Sequence, residues 1–459
     1  MTIWNRAAFV ILCAMPILTV LAYGTVHHPM IGLFYILIGL MAALWTADAI
    51  RSGAVRFSRD LLQLPFYLAF AYGLFQVIPF GSLDGSAGVD EIPRTISYDP
   101  FWTQVSALHF FSLGLFFSLS LVLLDSARRL LRFAMVLMVF GFGFAFFSII
   151  QSVLSPDRIY GIYEALSPFG SFVNRHNFAA AMVMLVSVPM GRLFSGSVEP
   201  DKRLLYLTAI ALMGASILLS GSRGGLVAFV AMAIFLVFLT ARGSGRKKLL
   251  LRAAMVILLF VAVVFGAIFV GGDTSLTRIA DTSVSKDITT GRFDIWDVTL
   301  KMIAADLPFG AGLGAYGVAY TRFDQGSGLE RVEQAHNDYL QVASDAGIPG
   351  VIIGLAFLYF IFIAGRRAVA AENLLRRGLG IGALAGVFAM LVHSLFDFVL
   401  HTTGVSVVFV SLLTLLVASG SEYADDVLPV GQQGRHRERK TSGRISQFRR
   451  ENRSMPVRR

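Results

Sequence analysis

The stretch Phe133-Ala-Met-Val-Leu-Met-Val-Phe-Gly-Phe-Gly-Phe-Ala-Phe-Phe-Ser-Ile-Ile150 runs on to Leu154 without a charged side chain. Arg128, Arg129 and Arg132 stand directly before it. A run of this length crosses a bilayer as a helix, for which about 17–25 residues suffice. Arginines crowd the end that stays in the cytoplasm. Similar runs fall near 7–24, 30–50, 61–80, 105–124, 177–191, 204–220, 224–241, 253–271, 347–364, 378–396 and 403–420, making twelve with 133–154. The sequence predicts an all-α polytopic membrane protein with about twelve transmembrane helices. The short run at 177–191 is expected to extend into its flanking loops.

Composition supports this reading. Hydrophobic residues make up 56% of the 459 and charged residues 15%, and the mean hydropathy is +0.69. Those values exclude a soluble globular protein of this size. The formal charge of +10 invites a nucleic-acid partner, but the placement of the charges argues against one. The amino terminus, 51–60, 125–132, 192–203, 242–252, 365–377 and the tail after 420 carry 29 of the 39 Lys and Arg residues. By the positive-inside rule these segments, and both termini, are cytoplasmic. The charge thus follows from insertion. Cys13 is the one cysteine, so the chain has neither a disulfide framework nor a Cys-based metal site. Arg6, an apolar stretch and Val20-Leu-Ala22 resemble a signal peptide; with apolar spans following throughout, we read an uncleaved first helix.

Three regions follow. Residues 1–169 form amino-terminal transmembrane helices, 170–420 a membrane region with an extracytoplasmic loop at 272–346, and 421–459 a disordered basic tail. The tail can rest on anionic lipid headgroups or serve only topology and solubility. Residues 81–104 form a mildly acidic, Gly/Pro-punctuated loop. Residues 272–346 are expected to form a helical cap. Phe293, Trp296, Leu300 and Ile303 recur at helical spacing, with Thr289 or Thr290 as N-cap, and Pro308, Gly310, Gly312 and Gly314 end that helix. A second short helix near 334–346 carries His336, Tyr339, Leu340 and Ala343 before Gly347 and Pro349 turn the chain into the membrane.

The extracytoplasmic side is poor in Lys and Arg, yet three arginines sit there at expected helix starts. They are Arg175 in Asn174-Arg-His-Asn177, Arg223 in Gly221-Ser-Arg-Gly-Gly225 and Arg292 in Thr290-Gly-Arg-Phe293. A helix amino terminus presents unpaired N–H groups and about half a positive charge. A guanidinium beside it suits a phosphate oxygen pair. Arg223 lies between good capping serines and two glycines that admit a ligand; the plain alternative is a side chain snorkelling to the interface. Arg292 needs a negative partner, either a substrate phosphate or, locally, Asp294 or Asp297. Arg175, with Asn174 and Asn177, either binds phosphate or sugar hydroxyls or caps its helix. His336 is the candidate base, since a neutral imidazole can take a proton from a hydroxyl; Asn337 and Tyr339 supply hydrogen-bonding company. His393, Asp397 and His401 form a second polar cluster that either supports the site or makes an interhelical contact. As a metal site their spacing is weak, so no metal is expected.

Taken together, Gly170-Ser-Phe-Val-Asn-Arg-His-Asn-Phe-Ala179, Ser222-Arg-Gly-Gly225, Thr290-Gly-Arg292 with Trp296, Pro308-Phe-Gly-Ala-Gly312, Ala335-His-Asn-Asp-Tyr-Leu-Gln341 through Gly347-Ile-Pro-Gly350, and His393-Ser-Leu-Phe-Asp-Phe398 resemble the O-antigen ligase and O-antigen or exopolysaccharide polymerase superfamily of bacterial membrane glycosyltransferases. The resemblance implies a GT-C-like helical enzyme of the bacterial inner membrane, active at its periplasmic face, without cofactor, metal or nucleotide. It implies transfer of a glycan from undecaprenyl diphosphate to an acceptor hydroxyl, on lipid A core for a ligase or on another lipid-linked unit for a polymerase. Arg223 and Arg292 would hold the diphosphate, with Arg175 auxiliary, and His336 would activate the acceptor. Direct displacement would invert the anomeric centre. Membrane lipids and other polysaccharide-assembly proteins are the further partners expected. A flippase or transporter of lipid-linked oligosaccharide is the alternative, but it would need polar residues along the span interiors, and here they gather at one face.

Overall fold

In lipid the backbone must satisfy its own N–H and C=O groups, and a helix does so within one segment. The computed structural model describes residues 2–83, 92–241, 257, 292–326 and 331–421. Most of these residues are helical. The amino-terminal half contains α1 Ile3–Leu21, α2 His28–Ser52, α3 Leu64–Gln76, α4 Pro100–Leu123 and α5 Ala127–Leu154. Then follow α6 Arg175–Ser195, α7 Arg203–Leu219, α8 Arg223–Ala241, α9 Arg292–Asp306, α10 Tyr316–Tyr320, α11 Asp338–Val369, α12 Leu374–His393 and α13 Thr403–Gly420. Two antiparallel pairs of two-residue strands, Ser82–Leu83 with Ile92–Pro93 and Arg158–Ile159 with Tyr163–Glu164, tie connections.

Among the described residues, ten helices are long and apolar enough to cross a membrane. The run expected at 61–80 is a shorter apolar helix, Leu61–Gln76. The run at 253–271 (apart from residue 257), the expected caps Thr289 and Thr290, residues 84–91 and the tail from 422 lie outside the described residues. As expected, the short run at 177–191 extends at both ends, to Arg175–Ser195.

Helix ends sort into the two sets that the charge pattern requires. At one end Ser171 Oγ donates to Val20 O (2.6 Å) and Asp338 N to Ser394 O (2.9 Å). At the other, Asn5 Nδ2 donates to Asp48 Oδ2 (2.9 Å), and Arg367 pairs with Asp60 (3.5 Å). The Arg-poor ends carry Arg175 and Arg223 as first residues of α6 and α8.

α13 is buried along almost its whole length, and α6 and α12 along most of theirs. Lipid is as apolar as leucine, so close packing rather than apolar burial holds such helices together. A Cβ on Gly191 of α6 would fall on the backbone of Gly382 in α12, and one on Gly382 would lie 2.7 Å from Ser187 O. This contact sets the spacing between the helix that begins with Arg175 and the helix that ends with His393. Gly382→Leu is expected to destabilise the protein by about 1–3 kcal/mol through overpacking, read as a lowered melting temperature in detergent.

Two expectations for the cap change. The short helix at 334–346 and the span at 347–364 are one kinked element, α11. Its kink is at Gly347 (φ 56°, ψ −145°), where a side chain would run into Pro308 O. His336 precedes that helix rather than lying on it. Met302, Ala311, Tyr316, Ala319, Tyr320 and Ala335 form a small core of their own, which makes the cap a packed unit.

Candidate functional site

The helix starts are built by capping. Asn174 Oδ1 accepts from His176 N (2.8 Å), and Ser222 Oγ accepts from Gly225 N (3.2 Å). Asn337 Oδ1 accepts from Tyr339 N (2.9 Å) and Leu340 N (3.1 Å), while its Nδ2 donates to Leu395 O (3.1 Å). Tyr339 OH donates to Leu391 O (2.8 Å). Asn174, Asn337 and Tyr339 thus hold the backbone around the site, and Asn177 is buried on α6.

The next residue up is His336. Its φ of 50° is unusual for a residue with a side chain. Its neighbours enforce it: Ala335 O accepts from Trp296 Nε1 (2.9 Å), Ala335 N donates to Gln341 Oε1 (2.7 Å), and Asn337 is fixed as above. Strain held in place on both sides is a mark of functional positions. Phe398 meets the ring edge-on at 4.7 Å.

Asp397, which the sequence places in a cluster that either supports the site or makes an interhelical contact, lies at the meeting point of the candidate residues. Its carboxylate lies 3.4 Å from His336 Nδ1, 3.5 Å from Arg292 Nη2 and 3.7 Å from His176 Nδ1, and its Oδ1 accepts from Phe398 N (3.1 Å). Its side chain is only 5% exposed. The expected local partners of Arg292 are therefore corrected: Asp397 takes it, and Asp297 pairs with Lys301 (2.6 Å). Of the expected cluster of His393, Asp397 and His401, His393 stays within electrostatic reach of Asp397 and His401 takes another partner. Asp397 belongs with His336, while His401 pairs with Asp338 (3.3 Å). His393 is buried, with its ring against the position a Gly224 side chain would take.

His176 reads in the sequence only as one member of the polar run with Asn174, Arg175 and Asn177, without a role of its own. Its Nδ1 is 2.9 Å from Ser222 Oγ, joining α6 to the start of α8, and Arg175, Arg292 and His336 lie within electrostatic reach of it. Arg175 lies near Gly221, and Arg223 is exposed at the first turn of α8, one residue before Gly224. Among the described residues, no three His, Cys, Asp or Glu side chains are arranged to hold a metal ion.

Burial opposes the charge on Asp397. The hydrogen bond from His336 and the neighbouring His176, Arg292 and His393 outweigh it and hold the carboxyl down at about 2. An unfolded aspartate titrates near ~3.9. The stability contributed by Asp397 is thus complete above that value and is lost as pH falls towards 2. The melting-temperature difference between the protein and Asp397→Asn should be flat from about pH 5 to 8 and shrink below about pH 4. A change centred near neutral pH would contradict this.

Residues 208–355, from within α7 to within α11, match the family model described as O-Antigen ligase. The match spans about a third of the chain, and that segment is similar to the O-antigen ligase family. No curated protein matches the chain. The matched segment holds Arg223, Arg292 and His336, while Arg175, His176, His393 and Asp397 come from the helices, and the turn after α12, that flank it. In this multi-pass membrane protein, ligase-type glycosyl transfer with lipid-linked glycan and acceptor substrates is what the family implies.

Proposed function

We propose that the protein moves a glycan from undecaprenyl diphosphate to an acceptor sugar hydroxyl at the periplasmic face of the bacterial inner membrane, by inversion and without metal. The observation that carries this reading is the convergence of His336 and Arg292 on the buried carboxylate of Asp397. Asp397 accepts the Nδ1 proton of His336, which leaves the Nε2 lone pair to take a proton. The acceptor oxygen attacks the anomeric carbon as its proton passes to Nε2. The bond from that carbon to the diphosphate oxygen breaks, and the lipid diphosphate departs with its negative charge. Arg292, Arg223 and Arg175 stabilise that charge as it develops. The imidazolium then releases its proton to water.

The acceptor is lipid A core for a ligase or a second lipid-linked unit for a polymerase. The test uses purified protein in proteoliposomes, a lipid-diphosphate oligosaccharide, and lipid A core present or absent. Labelled core marks a ligase and longer lipid-linked chains a polymerase. Movement of the oligosaccharide across the membrane without bond exchange would overturn the enzyme reading.

A further inference from the structure

Both ends of α9 are tied to the Arg-poor ends of membrane helices. At its start Arg292 reaches Asp397 (3.5 Å), which lies in the turn after α12. Near its end Asp306 Oδ1 accepts from Tyr98 OH (2.8 Å), just before α4. Just past α9, Phe309 O accepts from Gln76 Nε2 (3.0 Å) at the end of α3. A helix of this length, ~22 Å at ~1.5 Å per residue, held at both ends in this way lies along the membrane surface.

Its sequence makes three faces. Ile295, Val298, Thr299 and Met302 turn inward onto the core of the cap, where Thr299 Oγ1 meets Tyr316 OH at 2.7 Å. Asp294, Asp297 and Lys301 form an exposed charged strip, with Asp297 and Lys301 paired. The third face is a ridge of Phe293, Leu300 and Leu307, which are 62%, 56% and 51% exposed. At ~100° per residue, each step of seven returns to nearly the same side of the helix.

An exposed apolar ridge of this kind marks an interaction surface, and it runs on into one whose partner is lipid. Pro308, between Leu307 and Phe309, accepts at its carbonyl from Ile348 N (2.9 Å). From there Ile348, Ile352, Leu355, Tyr359 and Phe362, between 50% and 61% exposed, form one stripe along α11. That helix is long and apolar enough to cross the membrane, so its outward stripe meets acyl chains. The charged strip of α9 carries two carboxylates against one ammonium. It has no attraction for anionic headgroups, which leaves apolar contact to hold the helix down.

We propose that α9 is an interfacial helix whose ridge of Phe293, Leu300 and Leu307 seats among the acyl chains of the leaflet on the Arg-poor side. The bilayer is then the platform for the helix that begins with Arg292. Nothing in this seating depends on glycan transfer.

The full chain with Cys13→Ala has no native thiol, so single cysteines can carry an environment-sensitive fluorophore. Leu300→Cys and Leu307→Cys report the ridge, Asp297→Cys the charged strip and Ile352→Cys the lipid face of α11. All four positions are exposed, and size-exclusion profiles verify that each labelled protein is folded. The vesicles are phosphatidylcholine brominated near the head of its acyl chains. There the labels at Leu300 and Leu307 should emit to the blue of the Asp297 label, lose most of their emission to the bromines as the Ile352 label does, and resist aqueous iodide. The Asp297 label should do the reverse, and added anionic lipid should change neither. Iodide quenching at Leu300 equal to that at Asp297 puts the ridge in water and overturns the proposal. Protection from both quenchers means that protein covers the ridge, a second copy or another chain, and overturns it as well. Lipid quenching that requires anionic lipid overturns the hydrocarbon seat.

Discussion

His336→Ala lowers glycan transfer by ~10²–10⁴-fold, the loss expected for a positioned general base. Asp397→Asn lowers it by a comparable factor, and the double variant is little worse than either. The reason is that Asp397 acts on the reaction through His336, so the two losses describe one device and do not multiply. A carboxylate has acceptor capacity on both oxygens, and here it serves His336 Nδ1 at 3.4 Å, Arg292 Nη2 at 3.5 Å and Phe398 N at 3.1 Å. An amide has one oxygen. Whichever way the amide of the Asp397→Asn variant is turned, its NH₂ opposes a donor, either the guanidinium or the Nδ1–H that fixes the tautomer. The check is initial rates in proteoliposomes, with size-exclusion profiles in detergent to show that each variant is inserted and folded. Multiplying losses would show that Asp397 acts independently of His336 and would sink the dyad.

Ten of the twelve expected spans, the two sets of helix ends and the similarity to the O-antigen ligase family were legible in the sequence because each is local or additive. An apolar run reports its own helix, and Lys and Arg counts accumulate loop by loop. The same charge asymmetry singled out Arg175, Arg223, Arg292 and His336, since cations are few on that side. The central role of Asp397 could not be found this way. It is 61 residues beyond His336, and what joins them is the clamp of Asn337 and Tyr339 onto the end of α12. For Arg292 the chain offers a substrate phosphate or the local Asp294 and Asp297, because only local protein partners can be read from a sequence. The structure supplies one from another helix end instead. His176 was hidden beside a more conspicuous arginine, and its role depends on Ser222, 46 residues on.

Arg223→Gln lowers transfer from a lipid diphosphate by ~10²–10³-fold, the loss expected when one preorganised donor to a developing anion is removed. The surroundings of Arg223 suit it to an anion. It opens a 19-residue helix, so its charge adds to the positive end of that dipole. Gly224 behind it leaves room for the buried His393 ring, which a Cβ would crowd at 2.9 Å. Arg292 is held differently, because its guanidinium already neutralises Asp397. Arg292→Gln removes a donor and also exposes the arriving diphosphate to an uncompensated carboxylate, so its loss should equal or exceed that of Arg223→Gln and be accompanied by lower stability. Arg292→Lys keeps the charge but not the fork, and should recover stability more fully than rate. Normal rates for Arg223→Gln would remove it from the diphosphate site and leave Arg292 and Arg175 to hold the leaving group. If Arg292→Lys recovers rate and stability equally, the side chain neutralises Asp397 and does not grip the substrate.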